Sequence, residues 1–473
     1  MAPSEPPGAR SALSSESHAL DLDTIAAIAT PTGRGGVSII RVSGPEAWPI
    51  AERLTQKALL PRQPVFCGFR GADGEVIDEG LTLMFRGPAS FTGEDIAEFH
   101  GHGGVIITNL LLETCLTFGA RLARPGEFSE RAFLNNKLDL AQAEGLADLI
   151  DAPTEQAARQ ASASLRGAFS AAVNTLNQQL IDLRVFVEAA IDFPEEEVDF
   201  LSEGKVTSSL KTALSQLRGL LQQAKQGAVM SRGAQIVLTG APNAGKSSLM
   251  NQLAQDTVAI VTDIPGTTRD VIRQSIEIEG VAIQLSDTAG IRDATNAIEQ
   301  EGIHRAYAEI EHADIVIDVI DDTAGWAPTD TRSRHQSVIR VINKIDLTSR
   351  TSGIVSEQAG ESERLSTRQP TTVAVSATTG DGIDTLKHSI LTHLGLGNSA
   401  AATPFSARER HVTCLKQAAS ALEHSIERFE AHRAGELLAE DLRMVHDHLG
   451  DITGEFGSDA LLGEIFSSFC IGK

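Results

Sequence analysis

Lys246 and Ser247 close the octapeptide Gly240-Ala-Pro-Asn-Ala-Gly-Lys-Ser247, whose G-x-x-x-x-G-K-[ST] spacing is that of a phosphate cradle. Its glycines let successive backbone N–H groups wrap an anion, and the N-terminus of a following helix adds its dipole. A lysine at this position reaches the β- and γ-phosphates of a nucleotide, and the serine hydroxyl takes a place on Mg²⁺. Thr268, in Thr262-Asp-Ile-Pro-Gly-Thr-Thr-Arg-Asp270, is placed to close over that metal and the γ-phosphate as a switch. The Asp287 carboxylate of Asp287-Thr-Ala-Gly290 holds Mg²⁺ through water, while the Gly290 amide faces the γ-phosphate. Asp346 of Asn343-Lys-Ile-Asp346 can accept both N–H groups on the edge of guanine, a pattern adenine lacks, and Ser376-Ala377 completes that pocket. Each motif alone is short. All five in this order specify GTP.

The elements that must position these residues are readable beside them. Ile236-Val237-Leu238 is a strand entering the cradle, and Ser248 to Leu253 starts a helix on leaving it. Val281 to Leu285, Val338 to Ile342 and Val373 to Val375 are strands ending at the next three motifs. The GTP contacts expected of this arrangement are Asn243, Ala244, Gly245, Lys246, Ser247 and Ser248 from the cradle. Thr262, Asp263, Ile264, Pro265, Gly266, Thr267 and Thr268 come from the switch, and Asp287, Thr288, Ala289 and Gly290 from the metal-proximal loop. Asn343, Lys344, Asp346, Ser376, Ala377 and Thr378 surround the base. One position departs from the small-GTPase pattern: Ile291 stands where a glutamine orients the attacking water. An aliphatic chain cannot do so, and Glu299 on the following segment is the candidate. Arg269, Arg273 and Arg292 read as exposed switch residues, so no arginine finger is evident in cis.

At 473 residues the chain requires two to four domains. Its net charge of -23 excludes a polycationic nucleic-acid binder, so any RNA it handles must meet a local patch or a partner's positive field. Cys67, Cys115, Cys414 and Cys470 are far apart and form no C-x-x-C pair, which fits a reducing cytoplasm and neither a disulfide framework nor a zinc ribbon. No apolar run is long enough to span a bilayer.

Residues 1–20, rich in Ser, Pro, Ala and Glu, are expected to be a disordered tail. Residues 21–136 read as mixed α and β. Thr24 to Ala29 and Val37 to Val42 are strands joined by Pro31 to Gly36, a glycine loop without the Lys-Ser of a cradle. His100 and His102 fall on an expected turn, with no further ligand at metal spacing, ahead of a helix from Val105 to Phe118. Residues 137–230 and 398–473 carry apolar residues at helical spacing, among them Val173, Leu176, Leu180, Leu183 and Val187, and Leu415, Ala419, Leu422, Ile426 and Phe429. Neither piece buries its stripes alone, so the two are expected to form one bundle with the GTPase domain, 231–397, inserted between them. The end of the chain, Ile465 to Lys473, is apolar where a free terminus would be polar, which predicts docking.

Taken together the chain resembles the MnmE (TrmE) family of tRNA-modification GTPases. The resemblance rests on Ala29-Thr-Pro-x-Gly-Arg-Gly-Gly36, Phe91-Thr-Gly-Glu-Asp95, Arg124-Pro-Gly-Glu-Phe-Ser-Glu-Arg131, Pro265-Gly-Thr-Thr-Arg-Asp270 and Phe469-Cys-Ile-Gly-Lys473. It implies an α+β folate-binding dimerisation domain, a discontinuous helical bundle and an inserted P-loop (Ras-like) α/β GTPase domain. It implies a homodimer, and a heterotetramer with the FAD-dependent MnmG (GidA) protein that adds an aminomethyl or carboxymethylaminomethyl group to the wobble uridine of certain tRNAs. Arg41, Glu98, Lys137 and Lys473 match the family's contacts to 5-formyltetrahydrofolate or a related tetrahydrofolate. Asn243, Thr262, Ile264 and Thr267 match its K⁺ site, Ser247 and Thr268 its Mg²⁺ ligands, and Glu299 its hydrolytic glutamate. A K⁺ ion there answers the missing arginine finger, because it places positive charge where the transition state spreads negative charge. Two other classes share part of this pattern: a ribosome-assembly GTPase switch, which usually adds a basic module absent here, and a folate-binding scaffold in which GTP is structural.

Overall fold

In a computed structural model, residues 23–31, 33–192, 204–255, 272–287, 308–324, 337–355, 371–397, 404–455, 459–469 and 472 are described. The expected tail, 1–20, lies outside them. The chain divides into two compact units at Asp139/Leu140 and again at Phe456/Gly457.

The first unit is built on a six-stranded sheet of order β3-β4-β5-β2-β1-β6. Its elements are β1 (Ile25–Ile28), β2 (Gly35–Ser43), α1 (Ala47–Thr55), β3 (Val65–Arg70), β4 (Val76–Phe85), β5 (Ile96–Gly103), α2 (Val105–Thr117), β6 (Arg121–Leu122) and α3 (Glu127–Leu134). Alternation along β2 and β5 sends Ile40, Val42, Ala97 and Phe99 into a core shared with Ile50 and Leu54 of α1 and Leu111 of α2. The sequence places His100 and His102 on a turn; instead both lie within β5. The strand continues through Gly101 because a side chain there would press on the Asp78 carboxylate, and that carboxylate accepts from His102 Nδ1 at 2.7 Å.

In the second unit the elements run α4 (Leu140–Asp151), α5 (Glu155–Leu165), α6 (Ala168–Asp192), α7 (Lys205–Arg232), β7 (Ala234–Gly240), α8 (Lys246–Gln255), β8 (Ile272–Ile278), β9 (Val281–Asp287), β10 (Ile315–Asp321), β11 (Val338–Asn343), β12 (Gly353–Ile354), β13 (Thr371–Ala374), α9 (Ile383–His393), α10 (Glu409–His432) and α11 (Gly435–Thr453). The apolar stripes of α6, α7, α10 and α11 close on one another in a single core that includes Val173, Leu180, Leu217, Leu422 and Leu442. That core draws on chain before and after the sheet, which is how two pieces too small to bury their own stripes become a bundle. The seven-stranded sheet has the order β12-β13-β11-β10-β7-β9-β8. Strands β13, β11, β10, β7 and β9 run parallel, and their near-continuous apolar runs, such as Ile315–Asp321, are those of strands covered on both faces. The N-cap of α5 ties the bundle to the sheet: Thr154 Oγ1 accepts from Ala157 N at 3.1 Å and donates to the Gly280 carbonyl between β8 and β9 at 2.8 Å.

The last helix, α12 (Asp459–Ser467), belongs to the first unit. Phe466 is buried and stacks beside Phe133 of α3 and edge-on to Phe469. Gly472 lies so close to the Ile28 carbonyl of β1 that no side chain would fit. The apolar end of the chain is docked.

Candidate functional site

The parallel order brings Gly240, Asp287, Asp321, Asn343 and Ala374 to the carboxyl ends of neighbouring strands, where α/β sheets bind their ligands. From β7 the chain turns through Asn243, at φ 64°, and Gly245, at φ 95°, into α8. A side chain at Gly245 would overlap the Asn343 amide, so the left-handed backbone and the close approach both demand glycine there. Ala244 is buried and the amides of the turn lead directly into the helix N-terminus, the geometry of an anion nest. Lys246 folds back over its own loop, donating from Nζ to the carbonyls of Gly240 at 3.0 Å and Ala241 at 3.3 Å. Its ammonium is thereby held over the cradle.

Ser247 Oγ donates to Asp287 Oδ2 at 3.0 Å. The other oxygen, Asp287 Oδ1, is buried and has no hydrogen-bond partner among the described residues. A buried carboxylate oxygen left unmatched is costly unless something binds it, and a hydroxyl beside a carboxylate is the hard-oxygen donor set that suits Mg²⁺. The residues fit the metal.

At the base end, Asn343 spans two loops. Its Nδ2 donates to the Ala244 carbonyl at 3.0 Å, and its Oδ1 accepts from Ala377 N at 3.0 Å. Asp346 sits on the short 3-10 turn Ile345–Leu347, where its Oδ1 accepts from Ser376 Oγ at 2.6 Å. Ser376 Oγ also accepts from Thr378 N at 3.3 Å. So Asn343, Asp346, Ser376, Ala377 and Thr378 form one connected rim, adjacent through Ala244 to the cradle. Ser248 occupies the first turn of α8. Thr262, Asp263, Ile264, Pro265, Gly266, Thr267, Thr268, Thr288, Ala289, Gly290 and Glu299 lie outside the described residues. Of the nearby arginines, Arg273 is paired with Glu309 at 2.8 Å.

In the first unit Arg41 and Glu98 face each other across β2 and β5, and Arg41 Nε donates to Glu98 Oε1 at 2.9 Å. The Arg41 guanidinium lies 5.7 Å from the Phe91 ring centre and 5.8 Å from that of Phe128. Lys137 follows α3 and donates to the Pro88 carbonyl at 2.9 Å, on the same loop as Phe91. Lys473 and Cys470 lie outside the described residues. Sequence reasoning missed what braces this region. Glu127 is buried and takes hydrogen bonds from Arg121, Arg131 and the Arg124 amide. Burial works to raise its carboxyl, and those donors overcome it and hold it at about 2. The only sign in the sequence was the density of charge in Arg124-Pro-Gly-Glu-Phe-Ser-Glu-Arg131.

Comparison with known proteins also divides the chain near residue 139, though one model runs on through α12. Residues 24–137 match the family model described as GTP-binding protein TrmE N-terminus, and residues 140–470 that of the MnmE helical domain. A protein of Chromohalobacter salexigens named tRNA modification GTPase MnmE is 52% identical over 462 residues, covering 95% of this chain and 98% of its own. Proteins of the same name from Saccharophagus degradans and Pseudomonas aeruginosa are each 50% identical over 460 residues, covering 95% of this chain and 99% of theirs. Among solved structures, the G domain of the T. maritima FeoB iron transporter is 25% identical with a TM-score of 0.25, over 34% of this chain and 98% of that one. An Era protein of Aquifex aeolicus bound to GDP and aluminium fluoride is 25% identical with a TM-score of 0.26, over 40% of this chain and 66% of that one.

Proposed function

The chain belongs to the MnmE (TrmE) family of tRNA-modification GTPases, and on that premise we propose that it hydrolyses GTP to GDP and phosphate in the service of wobble-uridine modification. The observation that carries the reading is the convergence of the cradle, Asp287 and the Asn343–Asp346–Ser376 rim at adjacent strand ends. Among the described residues no helix is long and apolar enough to cross a membrane.

Each residue's part follows from its chemistry. Lys246 and the amides of Asn243 to Ser247 bind the phosphates, and α8 adds its N-terminal dipole. Ser247, with Thr268 from the switch, would hold Mg²⁺ directly and Asp287 would hold it through water; the metal would neutralise charge on the phosphate oxygens. Asp346 accepts from the guanine edge with Ser376 fixing its carboxylate. Glu299 orients the attacking water in place of the glutamine that Ile291 replaces. The Asn243 side chain, with Thr262, Ile264 and Thr267, would hold K⁺, which would supply the positive charge an arginine finger gives elsewhere.

The finer reading extends to the partners. The first unit binds a tetrahydrofolate through Arg41, Glu98, Lys137 and Lys473 and makes the homodimer. An MnmG protein joins it on tRNA in the cytoplasm, where the partner supplies the positive field that a chain of net charge -23 lacks.

Turnover measured in K⁺ and in Na⁺, for wild type and Asn243→Ala, tests the hydrolytic reading. K⁺ is expected to stimulate the wild type alone, with nucleotide binding largely retained in the variant; equal rates in the two salts overturn the K⁺ assignment. Mass spectrometry of wobble nucleosides in cells lacking the protein tests the pathway, and an unchanged nucleoside profile removes it.

A further inference from the structure

Two consecutive carboxylates at the end of β10 have no part in the account above. Asp321 and Asp322 sit beside Asn343, since Asp321 is its direct partner across the parallel β10–β11 pair and Asp322 N donates to the Asn343 carbonyl at 3.0 Å. Successive side chains on a strand end diverge, so the two reach opposite flanks of the loop that carries Asp346. Asp321 Oδ2 accepts from Lys344 Nζ at 2.6 Å, while its Oδ1 is fixed by Thr323 N at 2.9 Å and Thr323 Oγ1 at 2.7 Å. Asp322 accepts from Thr348 Oγ1 at 2.6 Å and Arg350 Nε at 2.9 Å. Lys344 stands just before the 3-10 turn that bears Asp346, and Thr348 just after it.

The backbone explains why such a brace is needed. Lys344 has φ 67°, a left-handed conformation that a non-glycine residue adopts at a cost of about 1 kcal/mol or more. Nothing intrinsic to lysine favours it. The Asp321 ion pair holds the Lys344 side chain on the β10 side, with the Asp321 and Lys344 side chains 16% and 30% exposed. Thr323 pre-orients the carboxylate, so little freedom is lost when the ammonium docks.

We propose that Asp321 and Asp322 are positioning residues for guanine recognition, which clamp the Asp346 loop from both flanks and set the affinity for guanine nucleotides without touching the phosphates. The inference rests on the GTP reading of the site. Lys344 and Asp346 meet the nucleotide; the two aspartates act through the loop.

The test uses the full chain and fluorescent GDP as the probe, with GTP turnover measured in parallel. Asp321→Ser keeps an acceptor for the Thr323 amide and removes the charge that holds Lys344. It is expected to weaken GDP binding about tenfold, the scale of one charge-assisted contact, and to raise KM by a similar factor with kcat within about twofold, as loss of uniform binding requires. The decisive measurement is a cycle with Lys344→Met: the effect of Asp321→Ser on GDP affinity should disappear in that background. Additive losses, or a fall in kcat with KM unchanged, overturn the proposal. Thr348→Val removes one contact of Asp322 on the other flank and is expected to cost about threefold in affinity, within the range of a single net hydrogen bond; an unchanged affinity overturns the Asp322 half. A wild type that does not distinguish GDP from ADP defeats the GTP reading itself, whereas guanine selectivity with indifferent aspartate variants defeats only this inference.

Discussion

The second unit contains two clusters of charge that differ in how completely their charges are matched. At the start of α10 in the bundle, Glu144 takes Arg410 on both oxygens, at 2.7 and 2.6 Å, and His411 Nε2 stands 2.7 Å away. Arg410 also donates from Nη1 to the Asp451 carbonyl and from Nη2 to the Ile452 carbonyl near the end of α11. His411 Nδ1 accepts from the Arg408 amide, which puts its proton on Nε2, close to Glu144 but outside hydrogen-bond geometry. Arg408 in turn binds Asp148 of α4 at 2.8 Å. Among the described residues, by contrast, Lys246 at the phosphate cradle donates only to carbonyls of its own loop, and one buried oxygen of Asp287 has no partner. Glu144, with both oxygens held by one guanidinium, fixes helices; Asp287, with one oxygen to spare beside a hydroxyl and the cradle, has capacity for a ligand. Burial alone does not distinguish structure from function; what sets Asp287 apart is unused capacity next to a phosphate cradle.

The comparison breaks first at Glu144. Glu144→Ala leaves Arg410 and His411 buried without their anion and should cost about 3–5 kcal/mol of stability, read by chemical denaturation. A loss under about 1 kcal/mol would show that the cluster is not the closed network described, because a removed buried partner is among the most costly of changes. Lys246→Ala should do the opposite, lowering GTP hydrolysis by about 10²–10³-fold while unfolding shifts by less than about 1 kcal/mol. If stability and turnover fell together, the two clusters would not be different in kind.

Acid sharpens the same contrast. Burial holds the His411 imidazole below its ordinary 6.5, so unfolding takes up a proton and stability falls as pH drops through that value. Burial works to raise the Glu144 carboxyl, but His411 and Arg410 hold it far below its ordinary 4.5. Its contribution is therefore complete above about 4.5 and lost progressively at lower pH. Denaturation at a series of pH values should show a decline starting near 6.5 and steepening below 4.5. A profile for Glu144→Gln as steep as wild type below 4.5 would assign the second phase elsewhere. The smallest effect belongs to Thr154. Thr154→Ala removes an N-cap and the link to Gly280, and should cost about 1 kcal/mol; no change in the unfolding midpoint would show that neither contact contributes.

The GTP site was legible in the sequence to an unusual degree, since its chemistry depends on residue type at close spacing. Gly245, Lys246 and Ser247 lie within one turn, and each of Asp287, Asn343 and Ser376 ends or closely follows a strand whose apolar run announces it. The docked end of the chain was legible for a similar reason: apolar residues at a terminus must be covered, and Phe466 and Phe469 are. His100 and His102 were misplaced because glycines on either side of His102 look like a turn, whereas Gly101 without a side chain lets β5 run beneath Asp78 and Gly103 lets it pack on Gly35 of β2.

What residue order alone determined is therefore the local part: the cradle, the Asn343–Asp346 motif beside it, the helical stripes and the need for two separated helical pieces to share one core. Only the tertiary structure decided which charges meet. Glu144 and Arg410 are separated by the whole GTPase domain, Asp321 ends β10 while Lys344 follows β11, and Arg41 finds Glu98 on the neighbouring strand. Attraction between charges carries no sequence periodicity and acts over a few ångströms, so its partners are chosen by the strand order and helix packing that bring them together.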